Sequence, residues 1–464
     1  MKRWKKVVAA SCGAYALFFL GSSLIYPKWK MNELTKESNV PLFDEEKFFN
    51  IEQTSEKACV FSSREHALDL RCELVDQAKK NIYMTQYAIE NDDTGDVLLS
   101  HLLKAANRGV KVELIMNGMA MKWKGSSLYK KWALASHPNI SLRVYGGVNL
   151  LKPWTINNVM HDKLLIIDQQ YFMTSGRNIG DRFMLGKHQE QATYDMDLLV
   201  KATTGATPII NEGLNYFKVI WKSPYTKSLR YFLPNKLMHL CQSQVLQEGK
   251  EIQKQYQASF TEKTLFSLPF VSVEKATLLH NSPNENIKTP SLFMNIASLL
   301  NRDQKMVLQT PYLVLTKEMR PFLKNKQHLL TNSTATSPNL FAYASYLKNK
   351  KSDLRLFHIM EYQGQGSIHN KGFVTEDHIM GLGSYNTDAR STFLDSENML
   401  VLQGKEICGQ LQAVMQQYEE QSLKCQSNTH YYYSNHVKVK KISKEKALLM
   451  KGMEKVIAPF SYLT

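Results

Sequence analysis

His161-Asp-Lys163-Leu-Leu-Ile-Ile-Asp168, followed by Ser175-Gly176-Arg177-Asn178, has a second copy later in the same chain. That copy is His369-Asn-Lys371-Gly-Phe-Val-Thr-Glu376, followed by Gly383-Ser384-Tyr385-Asn386. In each, Lys stands two residues after His, an acid five after Lys, a small-residue pair seven after the acid, and Asn three further on. The copies are 208 residues apart at every feature. Six features at one constant spacing mark an internal duplication. In extended chain, residues i and i+2 share a face. Each His and its Lys therefore point the same way, at the head of apolar runs (164–167 and 372–374) that read as buried strands.

The surroundings of both copies alternate strand with helix. Ahead of the first, helical spacing of Ala67, Leu70, Leu74, Val75 and Ala78 follows the capping residues Ser62-Ser63. A strand is expected over 81–89, a turn at 92–95, a helix ending at Gly109 and a strand over 110–116. Ahead of the second, strands are expected at 277–279, 306–310, 328–331 and 354–358, with helices at 291–300 and 340–347. The fold class this predicts is α/β: two similar domains, each a mixed sheet flanked by helices, with both motifs meeting at one interdomain cleft. The predicted organisation is an N-terminal segment 1–27, a linker 28–60, a first half 61–225, a connector 226–270, a second half 271–425 and a basic tail 426–464.

Two His, two Lys and two Asn brought together form an anion pocket. Ammonium groups and amides can hold the oxygens of a phosphodiester. One imidazole can attack phosphorus while the other protonates the leaving alcohol and later activates water or an alcohol acceptor. The charge comes from side chains, so no metal and no cofactor is called for. The six cysteines form neither a Cys-x-x-Cys pair nor a metal-spaced cluster with His.

The duplicated motif resembles the His-x-Lys-x4-Asp signature of the phospholipase D superfamily. Within it, Met160-His-Asp-Lys163, Ser175-Gly-Arg-Asn-Ile-Gly-Asp181 and Asp195-Met-Asp-Leu198 are similar to bacterial cardiolipin synthases. So are Gln86-Tyr87-Ala-Ile89, Asp92-Asp93-Thr-Gly95 and, in the second half, Gly383-Ser-Tyr-Asn-Thr-Asp-Ala-Arg-Ser391 with Glu397. The resemblance covers roughly residues 62–420. It implies phospholipase D-type domains and a phosphodiesterase or phosphatidyltransferase acting through a phosphohistidine. His161 would be the nucleophile and His369 the general acid/base. Lys163, Lys371, Asn178, Asn386 and the Ser384 hydroxyl would hold the phosphate, and Asp168 and Glu376 would be structural acids. A carboxylate from each half would orient an imidazole, with Asp197 and Glu397 as candidates and Asp195 as close rival to Asp197. Glu376 departs from the signature's Asp, and Ser175-Gly176 from its usual small pair. Neither change removes a reacting group.

The net charge of +16 excludes nothing anionic: lipid surface, nucleic acid or phosphorylated small molecule. Four basic residues among the first six precede an uncharged run over 7–27, long enough to span a bilayer. An uncleaved membrane anchor is expected there, with a cleaved signal whose weak site is Gly21-Ser22-Ser23 as the alternative. The basic flank places the catalytic body outside the cytoplasm, on the periplasmic or lumenal side. The expected partners are thus a membrane, a phospholipid substrate and an alcohol or water acceptor. Nucleic acid belongs to the rival reading of a membrane-anchored nuclease, and a non-catalytic membrane scaffold is the rival from another class.

Overall fold

The computed structural model describes residues 2–121, 123–185, 189–256, 264–302, 305–324 and 326–463. Seven neighbouring strands of the first sheet run Ile140–Tyr145, Lys111–Asn117, Asn81–Gln86, Leu164–Ile167, Tyr171–Ser175, Asp197–Lys201, Lys57–Phe61. Seven of the second run Phe357–Tyr362, Gln327–Asn332, Val307–Gln309, Gly372–Val374, Ile379–Gly383, Asn398–Gln403, Lys275–His280. In both, the first three strands are parallel and every later neighbour is antiparallel. The duplication in sequence is a duplication of topology. Thr226–Leu229 and Val271–Ser272 extend the edges of the first sheet, and Ser422–Lys424 one edge of the second.

The sheets lie face to face, and the apolar runs show why. Leu164 and Ile166 belong to the core between the halves, together with Met380, Leu382, Leu400 and Leu402. Leu165 and Ile167 point the other way, into the first half's own core. Phe373, Met399 and Val401 do the same in the second half. Strands buried on both faces carry continuous apolar sequence rather than alternation.

Two short parallel ribbons stitch the halves together. Val159–Met160 pairs with Asp395–Ser396, and Ser367–Ile368 with Thr193–Tyr194. Each ribbon delivers the residue just before a motif histidine to the strand just before an acid of the other half.

Several expected boundaries move. The turn at 92–95 is the start of helix Asp93–Asn107, because the Asp92 side chain accepts the Gly95 N–H at 3.0 Å and caps it. The strand expected at 354–358 is Phe357–Tyr362, because helix Leu340–Asp353 continues through a polar turn. Buried Lys350 anchors that turn on Glu361 at 2.7 Å. The stretch 28–60 is more than a linker: helix Tyr26–Glu37 buries Met31 in the second half's core, and Lys57–Phe61 is a strand of the first sheet. The connector is structured as well, with helix Asn235–Gln255 laying Cys241 and Val245 on the first core. The tail packs on the second half through helix Lys444–Ile457, against Leu340–Asp353.

Helical structure runs unbroken from Lys2 to Glu37, with a π-turn at Gly21–Ile25. Trp4–Glu37 is long and apolar enough to cross a membrane and is a candidate anchor.

Candidate active site

The ribbons fix the two histidines. The His161 N–H donates to Ser396 O at 2.9 Å, and the His369 N–H to Tyr194 O at 2.7 Å. The next residue on each partner strand is an acid, and it meets the imidazole. His161 Nδ1 lies 2.9 Å from Glu397 Oε1, and His369 Nδ1 lies 2.6 Å from Asp195 Oδ2. We assign the proton of each Nδ1 to the carboxylate contact, which leaves the Nε2 lone pair of each ring to accept a proton; Lys371 Nζ lies 3.2 Å from His369 Nε2 and 2.6 Å from its Nδ1. Each half therefore orients the other half's histidine. Ser391 Oγ donates to Glu397 Oε1 at 2.7 Å.

The carboxylate expected at Asp197 is corrected by this geometry. Asp197 is fully buried and turned away from both imidazoles, held by Arg71 at 2.6 Å, Arg177 at 3.3 Å and the Ser175 hydroxyl. Glu397 stands where it was expected. Removing Asp197 would leave two buried guanidinium groups short of a counter-charge. Asp197→Ala is thus expected to cost roughly 3–5 kcal/mol of stability.

Both lysines are buried beside their histidines. Lys163 Nζ donates to the His161 carbonyl oxygen. Lys371 Nζ donates to the His369 carbonyl oxygen and lies 3.7 Å from Asp195. Asn178 and Asn386 are nearly buried, and each has a side-chain oxygen with no protein partner. Rotating either amide by 180° would offer its NH2 instead. The Ser384 hydroxyl accepts the Asn398 N–H at 3.1 Å and hydrogen-bonds the Glu397 carboxyl, and the Ser384 backbone hydrogen-bonds His161. Gly176 has a steric reason. A Cβ there would stand 2.6 Å from Asp195 Oδ1 and 3.0 Å from the Lys371 side chain.

The two motif acids differ in what they do. The Asp168 carboxylate accepts the N–H groups of Lys79, Lys80 and Asn81 at 2.6–2.9 Å, and so pins the start of strand Asn81–Gln86. Glu376 is half exposed and pairs with Lys305 at 2.8 Å. In the first sheet the acid holds backbone, where side-chain length matters. In the second it makes an ion pair that the longer Glu can reach.

Burial dominates the electrostatics. It pushes His161 well below its ordinary value, with Lys163 and Lys371 adding to the effect. It takes His369 down to about 3, with Lys371 assisting and the Asp195 contact opposing. Lys163 falls to about 7 and Lys371 to about 8, both through burial against the pull of nearby carboxylates. Burial lifts Glu397 to about 8. Burial would lift Asp195 too, but Lys371, the His369 hydrogen bond and Arg177 hold it below the usual carboxylate range.

His161, His369, Asn178 and Asn386 line one cavity of about 390 Å³. Its wall also carries Arg182 and Arg390, which sequence reading did not single out. A signal was present: Arg182 and Arg390 stand four residues after the paired Asn residues, at the same offset of 208. Each imidazole is packed by an aromatic edge, Tyr87 on His161 at 4.9 Å and Phe183 on His369 at 5.3 Å between ring centres.

The family model described as "Cardiolipin synthase, PLD-like domain" matches residues 72–221 and 300–419, more than half the chain. An uncharacterized protein of Helicobacter pylori is 24% identical over 404 residues, covering 77% of this chain and 78% of its own. Cardiolipin synthase C of Escherichia coli is 24% identical over 390 residues, covering 73% and 80%. Among solved structures, a phosphatidylserine synthase of Haemophilus influenzae superposes with a TM-score of 0.63 at 15% identity, over 94% of this chain and 100% of that one.

Proposed function

Because this chain belongs to the family of cardiolipin synthase, phospholipase D-like domains, we propose that it transfers or hydrolyses the phosphatidyl group of membrane phospholipids through a phosphohistidine. The observation that carries this reading is the meeting of both His, both Asn and two Arg at one cavity, with the two Lys just behind. His161 Nε2 attacks phosphorus. Nδ1–H stays on Glu397, which keeps the ring in the attacking tautomer. Lys163, Lys371 and the Asn amides balance the charge on the phosphoryl oxygens. His369 protonates the leaving alcohol, then takes the proton of the incoming alcohol or water.

The proton count favours a second reading of the same residues. At neutral pH Glu397 keeps its proton while Asp195 is ionised. The His161–Glu397 pair thus holds one proton more than the His369–Asp195 pair, which suits His161 as the acid and His369 as the nucleophile.

A lipid substrate fits the position of the cavity beside the apolar helix. Leu463 lines the cavity, and the Tyr462 hydroxyl donates to Leu24 O at 2.5 Å. Retention of that helix as an anchor is supported by its unbroken run past Gly21-Ser22-Ser23 into buried Met31 and Thr35. The basic residues ahead of it support a body outside the cytoplasm.

The deciding assay is mass spectrometry of products from phosphatidylglycerol and phosphatidylethanolamine vesicles, in buffer with excess EDTA. A parallel arm contains single-stranded DNA, and His161→Ala is the blank. New cardiolipin or phosphatidic acid is expected. Intact lipid with shortened DNA would instead make this a nuclease.

The pH dependence has a definite sign. Lys163 and Lys371 are cationic only below about 7 and 8, so the phosphate cradle is complete at mildly acidic pH and is lost as pH rises through those values. Since kcat/KM reports the free enzyme, it should fall above neutrality. An anionic phosphate in the site raises both lysines, so the fall in kcat should lie at higher pH. A kcat/KM flat to pH 10 or so would remove the lysines from phosphate binding.

A further inference from the structure

The loop between strand Ile140–Tyr145 and His161 is anchored at its base and bare at its tip. Gly146 starts it at φ +69°, where a Cβ would strike Asn158 O at 2.6 Å, and its N–H is held by Tyr225 O at 3.0 Å. The tip carries Val148, Leu150 and Leu151, which are 61%, 62% and 87% exposed. Three exposed apolar side chains on one loop tip are a surface in search of an apolar neighbour.

The neighbour is indicated by what the loop touches. Tyr15 of the apolar helix donates to Leu150 O at 2.5 Å, and Phe18 meets Trp154 edge-on at 6.4 Å. Tyr462, the neighbour of the cavity-lining Leu463, meets the helix at Leu24 instead. Nine residues separate Tyr15 from Leu24, about 13 Å along a helix. That is close to the hydrocarbon depth of one leaflet, about 15 Å. If the helix spans a bilayer with Leu24 near the surface, the loop tip lies among acyl chains while the cavity sits at head-group level.

We propose that the loop tip at residues 148–151 is a lip that enters the same leaflet as the N-terminal helix and lies along the acyl chains of the phospholipid whose phosphodiester occupies the cavity. This rests on the lipid reading for its substrate but not for its insertion. The chain runs from the lip through the turn Pro153–Thr155 to strand Val159–Met160, which ends at His161, so one continuous segment joins the lip to the motif histidine.

The test uses the full chain reconstituted in phosphatidylglycerol and phosphatidylethanolamine vesicles. With exposed Cys12 replaced by Ala, Leu151→Cys is labelled with an environment-sensitive fluorophore. Quenching by lipids nitroxide-labelled on their acyl chains, with shielding from aqueous iodide, is expected. Iodide quenching equal to that of the free dye would overturn insertion. In the second arm, Leu150→Glu with Leu151→Glu should lower turnover of vesicle phosphatidylglycerol by roughly tenfold or more, because apolar burial is replaced by charge. Turnover of monomeric dibutyryl phosphatidylglycerol should stay within about twofold, because no bilayer is involved. Equal losses on both substrates, or no loss on vesicles, would overturn the lip's role. If the unaltered chain turned over neither lipid, the lipid reading would fail, while the quenching would still decide whether the loop enters the membrane.

Discussion

His161→Ala is expected to lower turnover of a natural phosphodiester by about 10⁴-fold or more, and His369→Ala by roughly 10²–10⁴-fold. The two losses arise from different bonds. Without a nucleophile no covalent intermediate forms with any substrate. Without the acid, the intermediate forms whenever the leaving group departs unaided. A p-nitrophenyl phosphodiester has such a leaving group. On it, His369→Ala should release a burst of nitrophenol close to one per site, then stall, because nothing deprotonates the acceptor. His161→Ala should give no burst. Alkaline denaturing quench of the stalled His369→Ala protein should show a phosphoryl label on a histidine that is lost on later acid treatment. The opposite pattern, a burst from His161→Ala alone, would exchange the roles, as the proton held by the His161–Glu397 pair favours. Either pattern needs both halves. Each half supplies one imidazole and the acid that orients the other, so neither half holds a complete pair.

The duplication was legible because strands buried on both faces cannot drift far in composition or length. The apolar runs after Lys163 and Lys371 fill matching places in one shared core, and the constant offset of 208 records that. The offset breaks at the carboxylates. Asp195 follows Asn178 by 17 residues, whereas Glu397 follows Asn386 by only 11. The surface connection between them is shorter in the second half, and loop length is weakly constrained. Spacing alone therefore could not align Asp195 with Glu397, and Asp197, next to the apolar strand, ranks ahead of it on sequence. Only the cross-half ribbons decide it, because they set Tyr194 against His369 and Ser396 against His161. Long-range pairing of that kind leaves no periodicity to read. The tail was opaque for another reason. Its helix Lys444–Ile457 is short and lysine-rich, and most of it is exposed. Its structural role comes from a few anchoring residues such as Met450 and Tyr462.

Asp195→Asn against Asp197→Asn is the comparison in which two neighbouring carboxylates should part company. Asp195 accepts the Nδ1 proton of His369 and lies 3.7 Å from Lys371. An amide in its place can turn its NH2 toward Nδ1, forcing the proton onto Nε2 and removing the lone pair that must accept the acceptor's proton. A loss of about 10²–10⁴ in kcat is expected, as for other imidazoles deprived of their carboxylate. Asp197→Asn leaves both imidazole contacts intact and weakens only the pairing with Arg71 and Arg177. Its folded fraction should fall in urea at lower concentration, while the kcat of the molecules that remain folded changes little. Glu397→Gln should cost less than Asp195→Asn, because Glu397 keeps its proton at neutral pH and the amide there replaces a neutral carboxyl. Loss of kcat in Asp197→Asn with unchanged urea midpoint would return Asp197 to the catalytic group and leave Asp195 as packing. The expectation is otherwise because the geometry gives each acid one set of partners: an imidazole for Asp195, two guanidinium groups for Asp197. A carboxylate surrounded by fixed cations is held ionised to balance them, whereas one hydrogen-bonded to a ring that gains and loses a proton in turnover must follow that proton.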